Sequence, residues 1–272
     1  MSSYVINGAS SGIGFEFLRQ LSLNPANTVI GLVRNVKLVE AKAKTEINRS
    51  NVHIIHGDLN SYEVLKEASE ATAKITGGSL DYLIANGALL PTDSNYVGFG
   101  KLGENPAALE EELFAGWKTN VVGNIHLFNL FLPLLLKGKQ KKVAFISSGH
   151  ADLDLISKYE IEISGPYSLG KAATNVVVAK FHAEYAKDGV LFMSISPGVV
   201  DTGHFDLAKL TEEERKGFMA MSAKFQQYAP HFTGPMSPEE SVKQVISVYE
   251  KASLANGDGG SFVSHLGTKQ WL

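Results

Sequence analysis

The 272-residue sequence has no cysteine, which excludes disulfide bonds, a cysteine nucleophile, zinc fingers and iron–sulfur clusters. It also has no large excess of one charge, because 25 Lys and Arg residues against 28 Asp and Glu residues give a net charge of -3. No basic block is present that could neutralise the phosphates along a nucleic acid. The composition therefore suits a reducing compartment and predicts no nucleic-acid partner.

Long hydrophobic runs are missing as well. The most apolar segment, residues 125–136, is shorter than the roughly 20 residues that a membrane span needs, and Asn129 and Pro133 interrupt it. The N-terminus begins MSS and then enters an apolar run, without the charged region that starts a signal peptide. These features predict a cytoplasmic protein that has no membrane partner.

Short apolar runs alternate with longer amphipathic stretches along the chain. Runs that are apolar on consecutive positions and rich in Val and Ile are typical of strands covered on both faces of a parallel sheet. The predicted strands are residues 4–6, 28–33, 52–55, 80–85, 142–147, 191–196 and 261–265. The predicted helices are residues 13–22, 61–75, 107–136, 167–186 and 238–252. This pattern predicts right-handed βαβ crossovers in an α/β fold, a doubly wound (Rossmann) parallel sheet of about seven strands with helices on both faces.

Two predicted connections, residues 88–106 and 203–235, are too long to be simple loops. Each follows a predicted strand, so each leaves from the carboxyl edge of the sheet, where open α/β sheets bind their ligands. The second is rich in aromatic residues and Met, some of them at helical spacing. It is interpreted either as a wall for an apolar ligand or as a lid helix packed on the body.

The first predicted strand is followed by the glycine-rich segment NGASSGIG, residues 7–14. Gly8, Gly12 and Gly14 would let the backbone turn tightly and bring N–H groups to a pyrophosphate at the start of a helix. The position between a strand and a helix favours a dinucleotide site over an ordinary tight turn. Residues 8–12 also match the nucleophile elbow of α/β-hydrolases, and this weaker rival stays open because eight His residues lie downstream.

The second predicted strand ends at Val33-Arg34, without the acidic residue that usually binds the adenosine ribose of NAD. A carboxylate there would repel a 2′-phosphate, whereas the guanidinium of Arg34 can pair with it. The sequence therefore predicts NADP(H) as the cofactor. The alternative is that Arg34 is an ordinary surface residue.

Tyr167 and Lys171 are four residues apart in a predicted helix, so their side chains lie on one face, one turn apart. A free phenol has a pKa of about 10, and a nearby ammonium lowers that pKa towards the working pH of a general acid. The pair is interpreted as an acid–base group, with a solvated pair as the alternative. The same segment mimics a Walker A loop, but Ala172 stands where that loop needs a Mg²⁺-binding hydroxyl.

Two other polar positions join this pair. Ser148 ends the fifth predicted strand, where a hydroxyl can donate to a substrate carbonyl, although two Ser residues at a strand end are more often a turn. Asn120 precedes an apolar helical run, and its alternative role is a buried amide bonded to the backbone.

Together these features resemble the short-chain dehydrogenase/reductase family over almost the whole chain. The family's catalytic tetrad is matched by Asn120, Ser148, Tyr167 and Lys171. The cofactor-binding residues that the resemblance implies are Gly8, Ser10, Ser11, Gly12, Ile13, Gly14, Arg34, Asp58, Leu59, Asn86, Gly87, Tyr167, Lys171, Pro197, Gly198, Val200 and Thr202. The segments NTVIGLVRN and GSFVSHLGTKQWL are most similar to the sniffer and C-factor group of carbonyl reductases.

Some positions depart from the family pattern. Asn7 replaces the usual Thr before the first glycine, and the order ANGA reverses the usual Ala-Gly order after the fourth strand. Ser11 stands where many NADP-dependent members have a basic residue, which leaves Arg34 as the main cofactor discriminator. The interval between Ser148 and Tyr167 is longer than most members have, and its insert DLDLISKYEIE is expected to shape the substrate mouth.

The resemblance implies one dinucleotide-binding and catalytic domain over residues 1–272, with substrate loops near 88–106, 150–165 and 203–236. It implies NADPH-dependent reduction of a small apolar ketone or aldehyde to an alcohol, without a metal. Tyr167 would be the general acid, Lys171 would lower its pKa and hold the ribose, and Asn120 would support a proton-supplying water. Helices 107–136 and 167–186 would pair between subunits in a homodimer or homotetramer. The alternatives are a non-redox isomerase or cyclase on the same scaffold, or a cofactor-binding interaction protein.

Overall fold

A seven-stranded parallel sheet forms the centre of the computed structural model, which describes residues 1–90, 95–203 and 210–272. The strands are β1 (Ser3–Asn7), β2 (Thr28–Val33), β3 (Val52–His56), β4 (Tyr82–Ala85), β5 (Lys142–Ile146), β6 (Leu191–Ser196) and β7 (Phe262–Ser264). Their order across the sheet is β3-β2-β1-β4-β5-β6-β7, and every neighbouring pair is parallel. The predicted doubly wound sheet of about seven strands is thereby confirmed.

The helices of the described residues lie between these strands. They are α1 (Gly12–Leu21), α2 (Val36–Glu46), α3 (Tyr62–Thr76), α4 (Phe99–Leu102), α5 (Pro106–Gly116), α6 (Gly123–Leu135), α7 (Leu153–Tyr159), α8 (Gly165–Tyr185), α9 (Glu212–Tyr228) and α10 (Pro238–Lys251). The single helix predicted at 107–136 is wrong in detail, because a π-helical segment, Trp117–Val122, separates α5 from α6. None of these helices is long and apolar enough to cross a bilayer.

Helix α2 was not predicted from the sequence, and its weak amphipathicity explains why. Only Val39 and Ala43 of its 11 residues are buried, so the apolar stripe that marks a helix in sequence is nearly absent. The N-terminus of α2 is instead stabilised by a cap, because the Asn35 side chain accepts a hydrogen bond from the Leu38 N–H. By contrast α10 begins with Ser237 as its cap and Pro238 in its first turn, and it was predicted within one residue.

Both faces of the sheet are covered by helices, which explains why its strands are apolar on consecutive positions. On one face, Tyr4 and Ile6 of β1 join a core with residues of α1, α2 and α10. On the other face, Val5 of the same strand joins residues of α3, α6 and α8. The alternation of β1 side chains between the two cores places the sheet in the middle of three layers.

The connection from β6 to β7 differs from the others in hand. The chain moves in the same direction across the sheet from β5 through α8 to β6 and from β6 through α10 to β7. Val178 of α8 is in one core, whereas Val242 of α10 is in the core on the opposite face. The two crossovers therefore have opposite hands, and the expectation that all are right-handed is wrong. After β6 the next crossover helix, α10, therefore packs on the face that also holds α1 and α2.

Candidate active site

The carboxyl ends of β1 and β4 are tied together by two Asn side chains. Asn7 Oδ1 accepts a hydrogen bond from the Gly87 N–H at 3.0 Å, and Asn86 Nδ2 donates to the Gly8 carbonyl at 3.1 Å. A Cβ on Gly87 would lie 2.1 Å from Asn7 Oδ1. The two departures from the family pattern, Asn7 and the ANGA order, are thus explained as one: the longer Asn7 side chain needs a glycine opposite it.

The start of α1 fits a bound anion. Six of the described α-helices have a side chain that accepts a hydrogen bond from their first turn, but the side chain of Ser11, the N-cap of α1, makes none. The first N–H groups of a helix have no intrahelical partner, and the helix dipole favours a negative charge beside them. Ser10 and Ser11 are exposed and Gly12 and Ile13 are half-buried, so the donors are within reach.

Two glycines of this loop are required by close approaches. A Cβ on Gly14 would lie 2.1 Å from the Gly8 carbonyl oxygen, so no side chain fits there. Gly12 has φ +51°, and a Cβ on it would lie 3.1 Å from the methyl group of Thr202. The structure therefore brings Thr202, from the segment after β6, against the glycine loop after β1. A pyrophosphate that lies on this loop fits the residues present.

The next two strands place the predicted adenosine contacts side by side. Arg34 and Asp58 follow β2 and β3, which are neighbours with Val33 paired to His56. Arg34 is exposed, and none of the ion pairs within the described residues involves it. Asp58 is half-buried and accepts a hydrogen bond from the Asn60 N–H at 2.9 Å, while Leu59 is buried. Arg34 therefore has a free guanidinium at the place where the sequence predicts a 2′-phosphate.

Ser148 and Tyr167 meet at the carboxyl end of β5. Burial raises the pKa of Tyr167 to about 12, and a side-chain hydrogen bond with Ser148 offsets part of this rise. This differs from the expectation that Lys171 lowers the pKa of the phenol. The centroid of the Tyr167 ring lies 5.7 Å from Lys171 Nζ, but the causes of the pKa shift are burial and the Ser148 interaction. With this pKa the phenol stays protonated at neutral pH.

Lys171 lies beneath this pair and is only 3% exposed. Its Nζ donates to the carbonyl of Ile146, the last residue of β5, at 2.6 Å, and lies 4.7 Å from the ring centroid of Phe145. Burial lowers the pKa of Lys171 to about 7. The solvated ion-pair interpretation of the Tyr–Lys spacing is therefore wrong, because this Lys is enclosed by protein and held against a strand end.

Asn120 lies in the π-helical segment and is 2% exposed. Its Nδ2 donates to the Leu89 carbonyl at 3.0 Å, and its Oδ1 accepts from the Leu89 N–H at 2.7 Å. Its own carbonyl accepts hydrogen bonds from Thr174 Oγ1 and Asn124 Nδ2. The alternative of a buried amide bonded to the backbone therefore describes its contacts, and these contacts hold the start of the loop after β4.

The Pro197–Thr202 segment runs along the same edge. Gly198 has φ +80°, and Val200 is buried and bridges to Met236. The carbonyl of Pro197 accepts a hydrogen bond from the buried Ser241 Oγ at 2.7 Å. These contacts join the segment after β6 to α10 and hold Thr202 over the glycine loop.

A cluster rich in aromatic rings packs against the turn that follows β5, and we call it the aromatic cluster. Its rings belong to Tyr96, Tyr159, Phe225, Tyr228, Phe232, Phe262 and Trp271. They come from all three predicted substrate loops and from the C-terminal segment. Helix α9 contributes most of the rings from the third loop, as the lid interpretation predicts, and Lys224 of α9 pairs with Glu162 of the insert. Parts of two loops, residues 91–94 and 204–209, lie outside the described residues.

Sequence reasoning missed two residues beside Ser148. The ring of His150 packs edge-on against Phe225, with 5.9 Å between ring centroids. The Trp271 side chain stacks on Phe262 at 4.4 Å and lies so close to Gly149 that a Cβ there would be 2.9 Å from it. The only signal in sequence was the position of His150 two residues after Ser148, since Trp271 is far along the chain.

The comparison with known proteins agrees with this geometry. A family model described as short chain dehydrogenase matches residues 3–213. The Hypocrea virens protein named short chain dehydrogenase virK is 55% identical over 273 residues, and the alignment covers 100% of both chains. The Pestalotiopsis fici protein named short-chain dehydrogenase/reductase iacC is 52% identical over 274 residues with the same coverage. Similarity of this extent establishes the family.

Two solved structures share the fold. The carbonyl reductase Sniffer of D. melanogaster has a TM-score of 0.75 at 21% identity, with 98% of each chain covered. The NADPH-bound carbonyl reductase from chicken fatty liver has a TM-score of 0.75 at 20% identity and the same coverage. At such identities the likeness establishes the fold alone.

Proposed function

The chain belongs to the short-chain dehydrogenase family and is an oxidoreductase of that family, and we propose that it reduces a ketone or aldehyde to an alcohol with NADPH. The observation that carries this proposal is that Tyr167 interacts with Ser148 and has the buried Lys171 beside it, with Nζ 5.7 Å from the centroid of the Tyr167 ring. This group lies at the same sheet edge as the uncapped start of α1. A proton donor and a dinucleotide cradle at one edge are what carbonyl reduction requires.

The cofactor would be held by the backbone of the glycine loop and by residues of four strand ends. Gly12 and Gly14 offer the open N–H groups of α1 to the pyrophosphate. Thr202 closes over the loop, and Arg34 pairs with the 2′-phosphate. When bound, NADPH supplies the hydride that reduces the carbonyl carbon. The free guanidinium of Arg34, with no acidic residue in the Val33-Arg34-Asn35 turn, supports NADPH over NADH.

Tyr167 supplies the proton in this proposal. Its hydroxyl is protonated at neutral pH, since a free phenol has a pKa of about 10 and burial raises the pKa of Tyr167 further, to about 12. The proton passes from Tyr167 Oη to the carbonyl oxygen as that atom gains electrons, and the Ser148 hydroxyl donates a hydrogen bond to the same oxygen. Lys171, with its pKa lowered to about 7, can hold a proton near the tyrosinate that remains. Water support by Asn120 stays a prediction, whereas its contacts with Leu89 give it a positioning role.

The proposed substrate is a small apolar carbonyl compound. The aromatic cluster supports this class, because its rings contact the turn after Ser148, with Phe225 against His150 and Trp271 against Gly149. The charged groups beside these rings include two ion pairs, Lys224 with Glu162 and Lys269 with Asp152, and a charged substrate bound among the rings would lose its hydration.

A second copy of the chain would cover one exposed apolar face. Phe114 and Trp117 at the end of α5, and Leu169 and Val176 on α8, are all more than half exposed. They line a groove of about 470 Å³ between these helices. Large exposed apolar patches mark interaction sites, and a helix pair is self-complementary in a two-fold interface. A homodimer or homotetramer formed here, in the cytoplasm, belongs to the same proposal.

The proposal is tested with a panel of ketones and aldehydes, with NADPH and NADH compared side by side. Tyr167→Phe is expected to lower kcat by about 10²–10⁴-fold while NADPH still binds, measured as a change in cofactor fluorescence. Tyr185→Phe, at the far end of the same helix, is the matched control. Native-like reduction by Tyr167→Phe would overturn the assignment. Isomerisation without NADPH consumption would instead identify the non-redox alternative.

The cofactor preference has its own test. Arg34→Leu is expected to lower the NADPH-to-NADH ratio of kcat/KM by about tenfold or more, because a charge-assisted hydrogen bond is lost. Lys37→Leu, an exposed residue of α2 three positions away, serves as the control. An unchanged ratio in Arg34→Leu would show that Arg34 does not contact the phosphate.

A further inference from the structure

His150 lies between the proposed reaction centre and the aromatic cluster. It is part of the short 3-10 turn Gly149–Ala151 that follows β5, and its backbone N–H donates to Ser148 Oγ at 3.3 Å. Its ring contacts Phe225 of α9. His150 is therefore joined to Ser148 through its backbone and to the aromatic cluster through its ring.

The imidazole of His150 has an unused hydrogen-bonding position. Its Nδ1 is buried and has no partner among residues 1–90, 95–203 and 210–272. Burial lowers the pKa of this His to about 4, so the ring is neutral at physiological pH and offers one donor and one acceptor. Native proteins leave few buried polar atoms unpaired, and an unpaired one is destabilising.

The neighbours of His150 distinguish its unpaired Nδ1 from the other buried polar atoms of the described residues that lack a hydrogen-bond partner. Several other described polar atoms are also buried without a partner, so the unpaired atom alone would not indicate a site. The His182 ring, for example, fills the space over Gly259 at the far side of the sheet. Among the residues that the structure describes, His150 alone combines an unpaired nitrogen with a backbone hydrogen bond to Ser148 and a ring contact with the aromatic cluster. An aliphatic side chain would pack in this cluster without leaving a polar atom unpaired.

We propose that His150 determines specificity by binding a neutral hydroxyl or second carbonyl group of the substrate, so that oxygenated aromatic ketones are preferred. This inference rests on the proposed function and deepens it. The ring of Phe225 and its neighbours receive the aromatic part, while the imidazole pairs with the oxygen. A carboxylate is disfavoured at this position, because a neutral imidazole among apolar groups does not compensate a buried charge. A site built to pair with a hydroxyl also discriminates against the analogue that lacks it.

The test compares acetophenone with its meta-hydroxy and para-hydroxy derivatives as substrates. For the native protein, kcat/KM for at least one hydroxy derivative is expected to exceed that for acetophenone by about five- to tenfold, the effect of one neutral hydrogen bond. His150→Leu is expected to bring this ratio close to one, and His150→Asn, which keeps a polar group near Nδ1, to retain part of it. His126→Leu is the control, because the His126 ring contacts Tyr62 instead.

A binding measurement separates this inference from the proposed function. Calorimetric titration of meta-hydroxyacetophenone and para-hydroxyacetophenone into the NADP⁺-loaded protein is expected to give, for at least one of them, a Kd that His150→Leu weakens by about five- to tenfold. If no ketone is reduced but this weakening is seen, the reductase proposal fails and the role of His150 stands. If ketones are reduced and His150→Leu changes neither ratio nor Kd, the role of His150 is overturned. Thermal melting verifies that the variant folds, and His150→Met replaces His150→Leu if it does not.

Discussion

The buried Lys171 makes the stability of this protein depend on pH in a way that can be measured. Burial lowers the pKa of Lys171 from 10.5 to about 7. One pKa unit corresponds to about 1.36 kcal/mol, so a difference of about 3.5 in pKa destabilises the folded protein by about 5 kcal/mol below pH 7. The figure refers to the protein without cofactor, and solvent does not screen the charge because Lys171 is only 3% exposed.

The sign of the effect follows from the protons bound in each state. Between pH 7 and pH 10.5 the unfolded chain holds a proton on Lys171 and the folded chain does not. The free energy of unfolding therefore rises with pH, by about 1.4 kcal/mol per pH unit from this one group. From pH 7.5 to pH 9.0 the rise is about 2 kcal/mol. Below pH 7 both states bind the proton and the slope disappears.

Lys171→Met isolates this contribution. The variant keeps an unbranched side chain but cannot titrate, and it loses the hydrogen bond to the Ile146 carbonyl, which costs about 1–3 kcal/mol at every pH. Urea unfolding of the cofactor-free protein, followed by tryptophan fluorescence, gives the free energy of unfolding at each pH. The difference between native protein and variant is expected to change by about 2 kcal/mol from pH 7.5 to pH 9.0.

The control is Lys180→Met, an exposed position on the same helix, which is expected to keep the native slope. All other titrating groups are shared, so their effects cancel in the comparison. If native protein and Lys171→Met gave parallel curves over this pH range, Lys171 would be charged in the folded state and the reasoning would fail.

Three further predictions concern the frame of the site. Gly14→Ala should lower the free energy of unfolding in urea by about 1–3 kcal/mol and weaken NADPH binding, because the new Cβ would lie 2.1 Å from a backbone oxygen. The control Gly116→Ala, whose Cβ would meet nothing within 4 Å, should raise the free energy of unfolding by about 0.5–1 kcal/mol. Equal effects of the two substitutions would contradict the packing around Gly14. Tyr228→Phe removes two hydrogen bonds to the C-terminal segment and should lower the free energy of unfolding by about 1–2 kcal/mol, so an unchanged value would mean that they do not contribute. Leu169→Glu should shift the protein to monomers in analytical ultracentrifugation, and a monomeric native protein would refute the proposed interface.

Sequence reasoning predicted the parts of the fold that repeat a local pattern. Strands such as Thr28–Val33 and Leu191–Ser196 were placed within one residue, because they are apolar on both faces. The weakly amphipathic α2 was missed. The π-helical segment Trp117–Val122 was missed too, since a single extra residue per turn leaves the apolar pattern almost unchanged.

By itself the sequence determined the α/β class, the glycine loop between β1 and α1, and the spacing that places Tyr167 and Lys171 on one helical face. These follow from interactions between residues that are close along the chain. Only the tertiary structure decided that Asn120 bonds Leu89, that α10 packs on the face opposite α8, and that His150 meets Phe225. It also decided the protonation of the site, because the pKa values of Tyr167 and Lys171 are governed by burial, and burial depends on residues that are distant in sequence.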